Sequence, residues 1–305
     1  MTKQLKISTR DYTSGRSGGT RKESQKMTRR RNLGTVLIMY QKTAKALIFK
    51  IYLIIFINKI LYMLELNKIY CCDVLDGLKQ LDDKSIDLII TSPPYNKAGF
   101  NGKVKRTKND IWNKTIDYSG DVNVDCMNEI EYEKWQIEIL NECFRVLKDD
   151  GSTFYNHKVR VKKNKISHPL EWINQSKFNC RQIITWDRTS SPNPDPCRYV
   201  PTTELIFWLS KTDKNPRFKR DGNALFQTEV WRFPADKNTE HPAPFPIVLP
   251  DNIIPSVAQG ERIVVLDPFM GSGTVAKSAI KNGCDYIGFE ISEEYVEMAN
   301  GNIKK

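Results

Sequence analysis

From residue 68 onward the chain alternates short apolar runs with longer stretches whose apolar positions recur every three or four residues. Residues 69–73, 86–90, 152–155, 182–187, 204–209, 262–266 and 286–290 are compact apolar runs, which predict strands buried on both faces. Between them, 129–148 places Trp135, Ile139, Cys143 and Leu147 on one stripe and predicts a helix, ended by Asp149-Asp150-Gly151. Further helices are expected over 169–177, 273–281 and 293–303. Another is expected over 246–259, where Pro250 and Pro255 should interrupt it. This βα alternation predicts an α/β fold with a mainly parallel, doubly wound sheet. No internal repeat is evident.

The first 62 residues break this pattern. Residues 1–45 are polar, rich in Ser, Thr, Lys and Arg, and without periodicity, the composition of a disordered segment. Residues 46–64 are apolar, but Lys50, Asn58 and Lys59 interrupt a run that would need about 20 apolar residues to span a membrane. A membrane anchor is therefore not expected, and no cleavage pattern suggests a secretory signal. Met63 is expected to be the biological start, with 1–62 a non-native or disordered extension. The body, 63–305, is then read as three segments, 63–210, 211–239 and 240–305.

Charge follows the same boundary. The net charge of +11 suggests nucleic acid, yet 1–62 carries +12 and the body is close to neutral at −1. Only local clusters in the body can then argue for a polyanion. The seven cysteines show no C-x-x-C spacing. Neither a metal site nor a disulfide framework is expected, and a cytoplasmic protein fits.

Two loops carry the chemistry. Thr91-Ser92-Pro93-Pro94-Tyr95 follows the run 86–90, and Asp267-Pro268-Phe269-Met270-Gly271-Ser272-Gly273-Thr274 follows 262–266. Both should sit at the carboxyl ends of strands, where open α/β sheets bind ligands. Gly271 and Gly273, opening a helix, permit a tight turn and offer amides to an anion. Glu290, ending the strand 286–290, suits a ribose diol, as in dinucleotide folds. The pair of loops resembles the S-adenosylmethionine-dependent DNA methyltransferases that modify an exocyclic amino group, N4 of cytosine or N6 of adenine. With the catalytic segment first and the glycine loop second, the order resembles the circularly permuted beta arrangement, on a Rossmann-like sheet with DNA-recognition loops.

The resemblance assigns roles. S-adenosylmethionine would lie against Asp73, Thr91, Asp267, Pro268, Phe269, Gly271, Gly273, Thr274 and Glu290. A second family-like segment, His241-Pro242-Ala243-Pro244-Phe245-Pro246, would contribute His241, Pro242 and Phe245 to the same pocket. The amides of Gly273 and Thr274 would hold the cofactor carboxylate, and Asp73 would lie near the adenine amino group. The target amino group would hydrogen-bond to the Ser92 hydroxyl and the Pro93 carbonyl, on a loop kept rigid by Pro93 and Pro94. Tyr95 would stack on the extruded base. Serine ahead of Pro-Pro-Tyr resembles the form associated with N4 of cytosine; Asp or Asn there is commoner for N6 of adenine. Pro196-Cys197 is an ordinary loop, since cytosine-C5 enzymes with a nucleophilic Pro-Cys lack Ser-Pro-Pro-Tyr.

The partner implied is double-stranded DNA, with a cognate restriction endonuclease as functional counterpart and a nucleoid-associated prokaryotic location. Three basic clusters would contact phosphate: Lys97, Lys103, Lys105, Arg106 and Lys108; Lys158, Arg160, Lys162 and Lys163; and Arg217, Lys219 and Arg220. Each follows a predicted strand, so all three are expected at the sheet edge that carries the active site. Base reading would fall to 97–128, 190–199 or 211–239. RNA or another amino group as substrate, and a non-catalytic DNA-binding protein, are the other functions the sequence allows.

Overall fold

The computed structural model describes residues 45, 47–50, 64–96, 127–162, 165–190, 197–220, 226–235 and 246–304. Contacts divide the chain into two units, Met1–Tyr62 and Met63–Lys305. In the first, the described residues 45 and 47–50 are helical. None of the described helices is long and apolar enough to cross a membrane.

The second unit is built on strands β1 (Lys68–Cys71), β2 (Ile86–Thr91), β3 (Leu147–His157), β6 (Asn179–Asp187), β7 (Thr203–Ser210), β8 (Val230–Arg232), β9 (Val264–Asp267) and β10 (Asp285–Glu290). A hairpin of β4 (Arg160–Lys162) and β5 (Lys165–Ser167) stands apart from them. The helices are α1 (Val74–Lys79), α2 (Glu129–Val146), α3 (Leu170–Ile173), α4 (Val248–Ala258), α5 (Thr274–Lys281) and α6 (Glu293–Ile303).

The eight strands pair in the order β1-β10-β9-β2-β3-β7-β6-β8. From β1 to β3 all neighbours are parallel, whereas β7 runs antiparallel to both β3 and β6. The strands β9, β10 and β1 are contiguous in the sheet, yet β1 comes first in the chain and the other two last, so the connectivity is circularly permuted.

Alternation along the strands sends side chains to two cores. Leu88, Ile90, Phe154, Trp208 and Val265 meet α4, α5 and α6 on one face. On the other, Ile89, Tyr155, Phe207 and Leu266 meet α1, α2 and α3. Helices on both faces make this a doubly wound sheet, as expected. Its switch point lies between β9 and β2, from which the connections wind to opposite sides.

Several expectations change. The helix expected over 129–148 stops at Val146, because Leu147 turns extended and pairs with Ile86 as the first residue of β3. Gly151 therefore lies inside a strand, where a Cβ would sit 2.8 Å from the Asp87 carbonyl, rather than ending a helix. Pro250 and Pro255 do not break α4. Pro250 occupies the first turn, where an N–H has no helical partner to lose, and the helix runs three residues past Pro255 before Gln259 turns left-handed. The helix expected over 169–177 contracts to Leu170–Ile173. Helix α1, strand β8 and the β4–β5 hairpin had no counterpart among the expected elements.

Candidate active site at the switch point

The two motif loops leave β2 and β9 side by side, and one hydrogen bond joins them: Thr91 Oγ1 donates to Asp267 Oδ1 at 2.9 Å. The same carboxylate oxygen accepts from the Phe269 amide at 3.0 Å, which folds the chain back after β9. Asp267 is buried, and burial raises its carboxyl to about 7 although both hydrogen bonds pull the other way.

The glycine loop is shaped by backbone needs. Gly271 and Gly273 take φ of 51° and 85°, the left-handed region. A Cβ on Gly273 would meet the Ala299 Cα at 3.1 Å, so the turn also packs directly on α6. Gly273 caps α5 with no side-chain hydrogen bond, which leaves the first-turn amides to a ligand. Glu290 stands opposite: its two oxygens accept from the amides of Gly271 (3.0 Å) and Ser292 (3.0 Å), and burial raises its carboxyl. Asp73 lies beyond it, where Cys72 N donates to the Glu290 carbonyl; its side chain caps α1 through Leu75 N at 2.8 Å. Phe269, half-buried, packs edge-on against Trp135, and Pro268 is buried beside it. Helical amides without a side-chain cap, suited to an anion, and the buried carboxylates of Asp267 and Glu290, suited to a cation, stand on the same loop and the strand beside it, a set that fits a zwitterionic sulfonium amino acid. His241, Pro242 and Phe245 lie outside the described residues.

The catalytic loop is held by side chains from distant elements. Tyr132 of α2 donates its hydroxyl hydrogen to the Pro94 carbonyl at 2.7 Å and lies 2.8 Å from His157 Nε2. Asn96, at φ 52°, ties the end of the loop to the Met127 carbonyl at 3.0 Å. Tyr95 is 9% exposed, with its ring against His157 at 4.5 Å. Its hydroxyl donates to Glu204 Oε2 (3.0 Å), accepts from Asn156 Nδ2 (3.0 Å) and lies 2.9 Å from Ser92 Oγ. Burial, and then the Glu204 charge, hold the Tyr95 hydroxyl well above its ordinary range, so it keeps its proton. The tyrosine expected as a stacking platform is thus first a hydrogen-bonded anchor.

The basic clusters separate. Lys158 stands at the catalytic edge, its Nζ 5.9 Å from the Tyr95 ring. Arg160 is a correction: its side chain is only 3% exposed, ion-paired with Glu129 and laid over Tyr132 (4.7 Å) and Trp172 (5.3 Å). It fastens β4 to α2 and presents nothing to phosphate. Lys162 lies in β4, while Lys163 and Lys97, Lys103, Lys105, Arg106 and Lys108 lie outside the described residues. The third cluster does not gather at the active edge, because β7 is antiparallel and releases the chain at the opposite one. There Lys211 Nζ donates to the Leu147 carbonyl and Arg217 N to the Asp150 carbonyl. Arg217 pairs with Glu261, Lys219 N reaches the Ser256 carbonyl, and Arg220 donates to the Gln227 carbonyl. A cavity of about 890 Å³ opens on the sheet face near this cluster, walled by Phe154, Arg181, Trp208, Phe218, Phe226 and Trp231, and includes no catalytic-loop residue.

Glu204, Asn156, Tyr132 and His157 were not among the expected site residues. The one signal was an acid opening the apolar run 204–209.

A family profile described as DNA methylase (N6_N4_Mtase) matches residues 86–301, which spans both loops. The chain belongs to this family. It is an S-adenosylmethionine-dependent DNA amino-methyltransferase. The type II methyltransferase M.BglII of Bacillus subtilis is 29% identical over 77% of this chain and 68% of its own length. The DNA adenine methyltransferase YhdJ of Escherichia coli K12 is 29% identical over 74% of this chain and 79% of its own length. Among solved structures, the PvuII DNA methyltransferase (cytosine-N4-specific) shares the fold with a TM-score of 0.60, at 22% identity over 76% of this chain and 84% of that one.

Proposed function

We propose that this methyltransferase acts on the N4 amino group of cytosine within a short duplex site, as the modification half of a restriction-modification pair. The observation that carries the reading is Ser92, a hydroxyl at the head of Pro93-Pro94-Tyr95 and hydrogen-bonded to Tyr95. An exocyclic amino nitrogen has its lone pair delocalised into the ring and is a poor nucleophile. Acceptors on its two hydrogens draw the nitrogen toward a pyramidal geometry and free the lone pair for attack. Ser92 Oγ and the Pro93 carbonyl serve as those acceptors. Tyr132, holding the Pro94 carbonyl, and Asn96, holding the loop's end, preorganise them.

S-adenosylmethionine supplies the electrophilic methyl group when bound. The first-turn amides of α5 hold its carboxylate, Asp267 and Glu290 attend its cationic and ribose groups, and Asp73 and Phe269 bound the adenine side. Lys158 lies where it would meet phosphate beside the extruded base. The remaining basic contacts, and the site sequence, are assigned to 97–128.

The test is expression of the chain in cells lacking amino-methylated DNA, followed by nucleoside mass spectrometry and modification-sensitive sequencing. N4-methylcytosine at one short motif is expected. N6-methyladenine instead would move the target to adenine while leaving the site assignment intact, and neither modification would refute the reading.

A further inference from the structure

We propose that Glu204, acting through Tyr95, is a positioning residue that fixes the Ser92 hydroxyl as a hydrogen-bond acceptor toward the target amino group. This rests on Ser92 being an acceptor in the reaction proposed above. A serine hydroxyl is both donor and acceptor, so serine at this position carries no polarity of its own. A hydroxyl that turned its hydrogen toward the amino group would hinder attack. Something must therefore fix where that hydrogen points.

The hydrogen count around Tyr95 does so. Glu204 is a carboxylate, ion-paired through Oε1 with Arg188 Nη1 at 3.1 Å, and so only accepts. Its Oε2 receives the single hydroxyl hydrogen of Tyr95 at 3.0 Å. Asn156 Nδ2 donates to that same Oε2 and to the Tyr95 oxygen, both at 3.0 Å. The opposite flip of the Asn156 amide would set its oxygen against the carboxylate, so Glu204 fixes this amide too. With its hydrogen committed to Glu204, Tyr95 has only oxygen lone pairs for Ser92. The 2.9 Å contact between the two hydroxyls then runs from Ser92 to Tyr95, which turns the Ser92 lone pairs outward.

The topology explains why the acid is here. Antiparallel β7 brings its first residues to the catalytic edge, where Leu205 and Ile206 pair with His157 and Asn156 of β3. Glu204 is 9% exposed, a costly place for a carboxylate that serves no more than packing.

Glu204→Gln is the informative change, because its amide can donate to the Tyr95 oxygen and release the Tyr95 hydrogen toward Ser92. Tyr95→Phe removes the relay itself. Each should lower kcat roughly 10- to 100-fold, with KM for DNA and Kd for S-adenosylmethionine changed less than about twofold. The double variant should be no slower than the slower single one, since both break the same chain. Multiplying effects would overturn the proposal, as would an unchanged kcat for Glu204→Gln beside a lowered Tm. Neutron diffraction of the unaltered full chain gives a second decision: deuterium on Ser92 Oγ directed at Tyr95 supports the relay, and deuterium on Tyr95 directed at Ser92 refutes it. If the unaltered chain methylates no DNA, the parent reading falls, and the neutron map still decides the hydrogen placement.

Discussion

The two loops at the switch point are built by opposite means. The glycine loop makes itself: left-handed backbone at Gly271 and Gly273, an uncapped helix start, and a carboxylate at the end of the next strand all lie within 24 residues of one another. The catalytic loop is made by others. Tyr132 comes from α2, Asn156 and His157 from β3, and Glu204 from β7, up to 112 residues beyond Ser92. A site that encodes its own geometry should fail by losing its ligand. One held from outside should fail by losing turnover while ligands still bind.

The largest expected effect tests the second half of that contrast. Ser92→Ala removes the acceptor proposed for the reacting amino group, so kcat should fall about 100- to 1000-fold. Cofactor affinity, measured by calorimetry, should stay within about twofold of the unaltered protein. A matching loss of cofactor binding would show that the loops are not separable. Gly273→Val tests the first half. It forces a β-branched residue into left-handed backbone and against the Ala299 backbone, at a cost of about 1–3 kcal/mol. Cofactor Kd should weaken roughly 10- to 100-fold, the equivalent of that strain, and retained affinity would break the comparison.

The same division governs what could be read from the amino acids. β2, β9 and β10 are short and buried on both faces, so their apolar runs stand out, and the loops that follow them are placed correctly. Strand direction leaves no mark in such a run. Reading β7 as one more parallel strand put Arg217, Lys219 and Arg220 at the wrong edge, and hid the fact that Glu204 opens onto the catalytic one. Arg160 was expected to contact phosphate, because nothing local shows that Glu129, Tyr132 and Trp172 enclose it. β8, with only Val230, Trp231 and Arg232, is too short to carry a period. Local geometry was legible; long-range side-chain chemistry was not.

The acidic carboxyl between the loops gives a pH test of intermediate size. Asp267 ionises near the ordinary carboxyl value of 3.8 when unfolded and at about 7 in the folded chain. The native state therefore holds a proton that the unfolded state releases, and stability should fall as pH rises from about 4 to about 7. A cationic methyl donor favours the ionised form, so cofactor binding should run the other way. Kd should tighten up to about tenfold between pH 6 and pH 7, with release of up to about one proton, measurable by calorimetry in buffers of different ionisation heat. Binding that weakens over this interval would place the cationic group away from Asp267.

Thr91→Val should give the smallest effect and the sharpest test of separability, because it breaks the hydrogen bond that runs from one loop to the other. The change keeps the side-chain shape and deletes a donor to a buried carboxyl, worth about 1–3 kcal/mol of stability. It also removes one of the two hydrogen bonds that hold the Asp267 carboxyl down, so the midpoint of the binding pH profile should move upward. If the loops are independent apart from this bond, cofactor Kd at pH 6 weakens further, Kd at pH 8 recovers, and kcat at saturating cofactor stays within about threefold. A kcat that falls as far as in Ser92→Ala would mean that Thr91 carries strain from Asp267 into the Ser92 acceptor. The glycine loop would then belong to the catalytic apparatus as well as to cofactor binding.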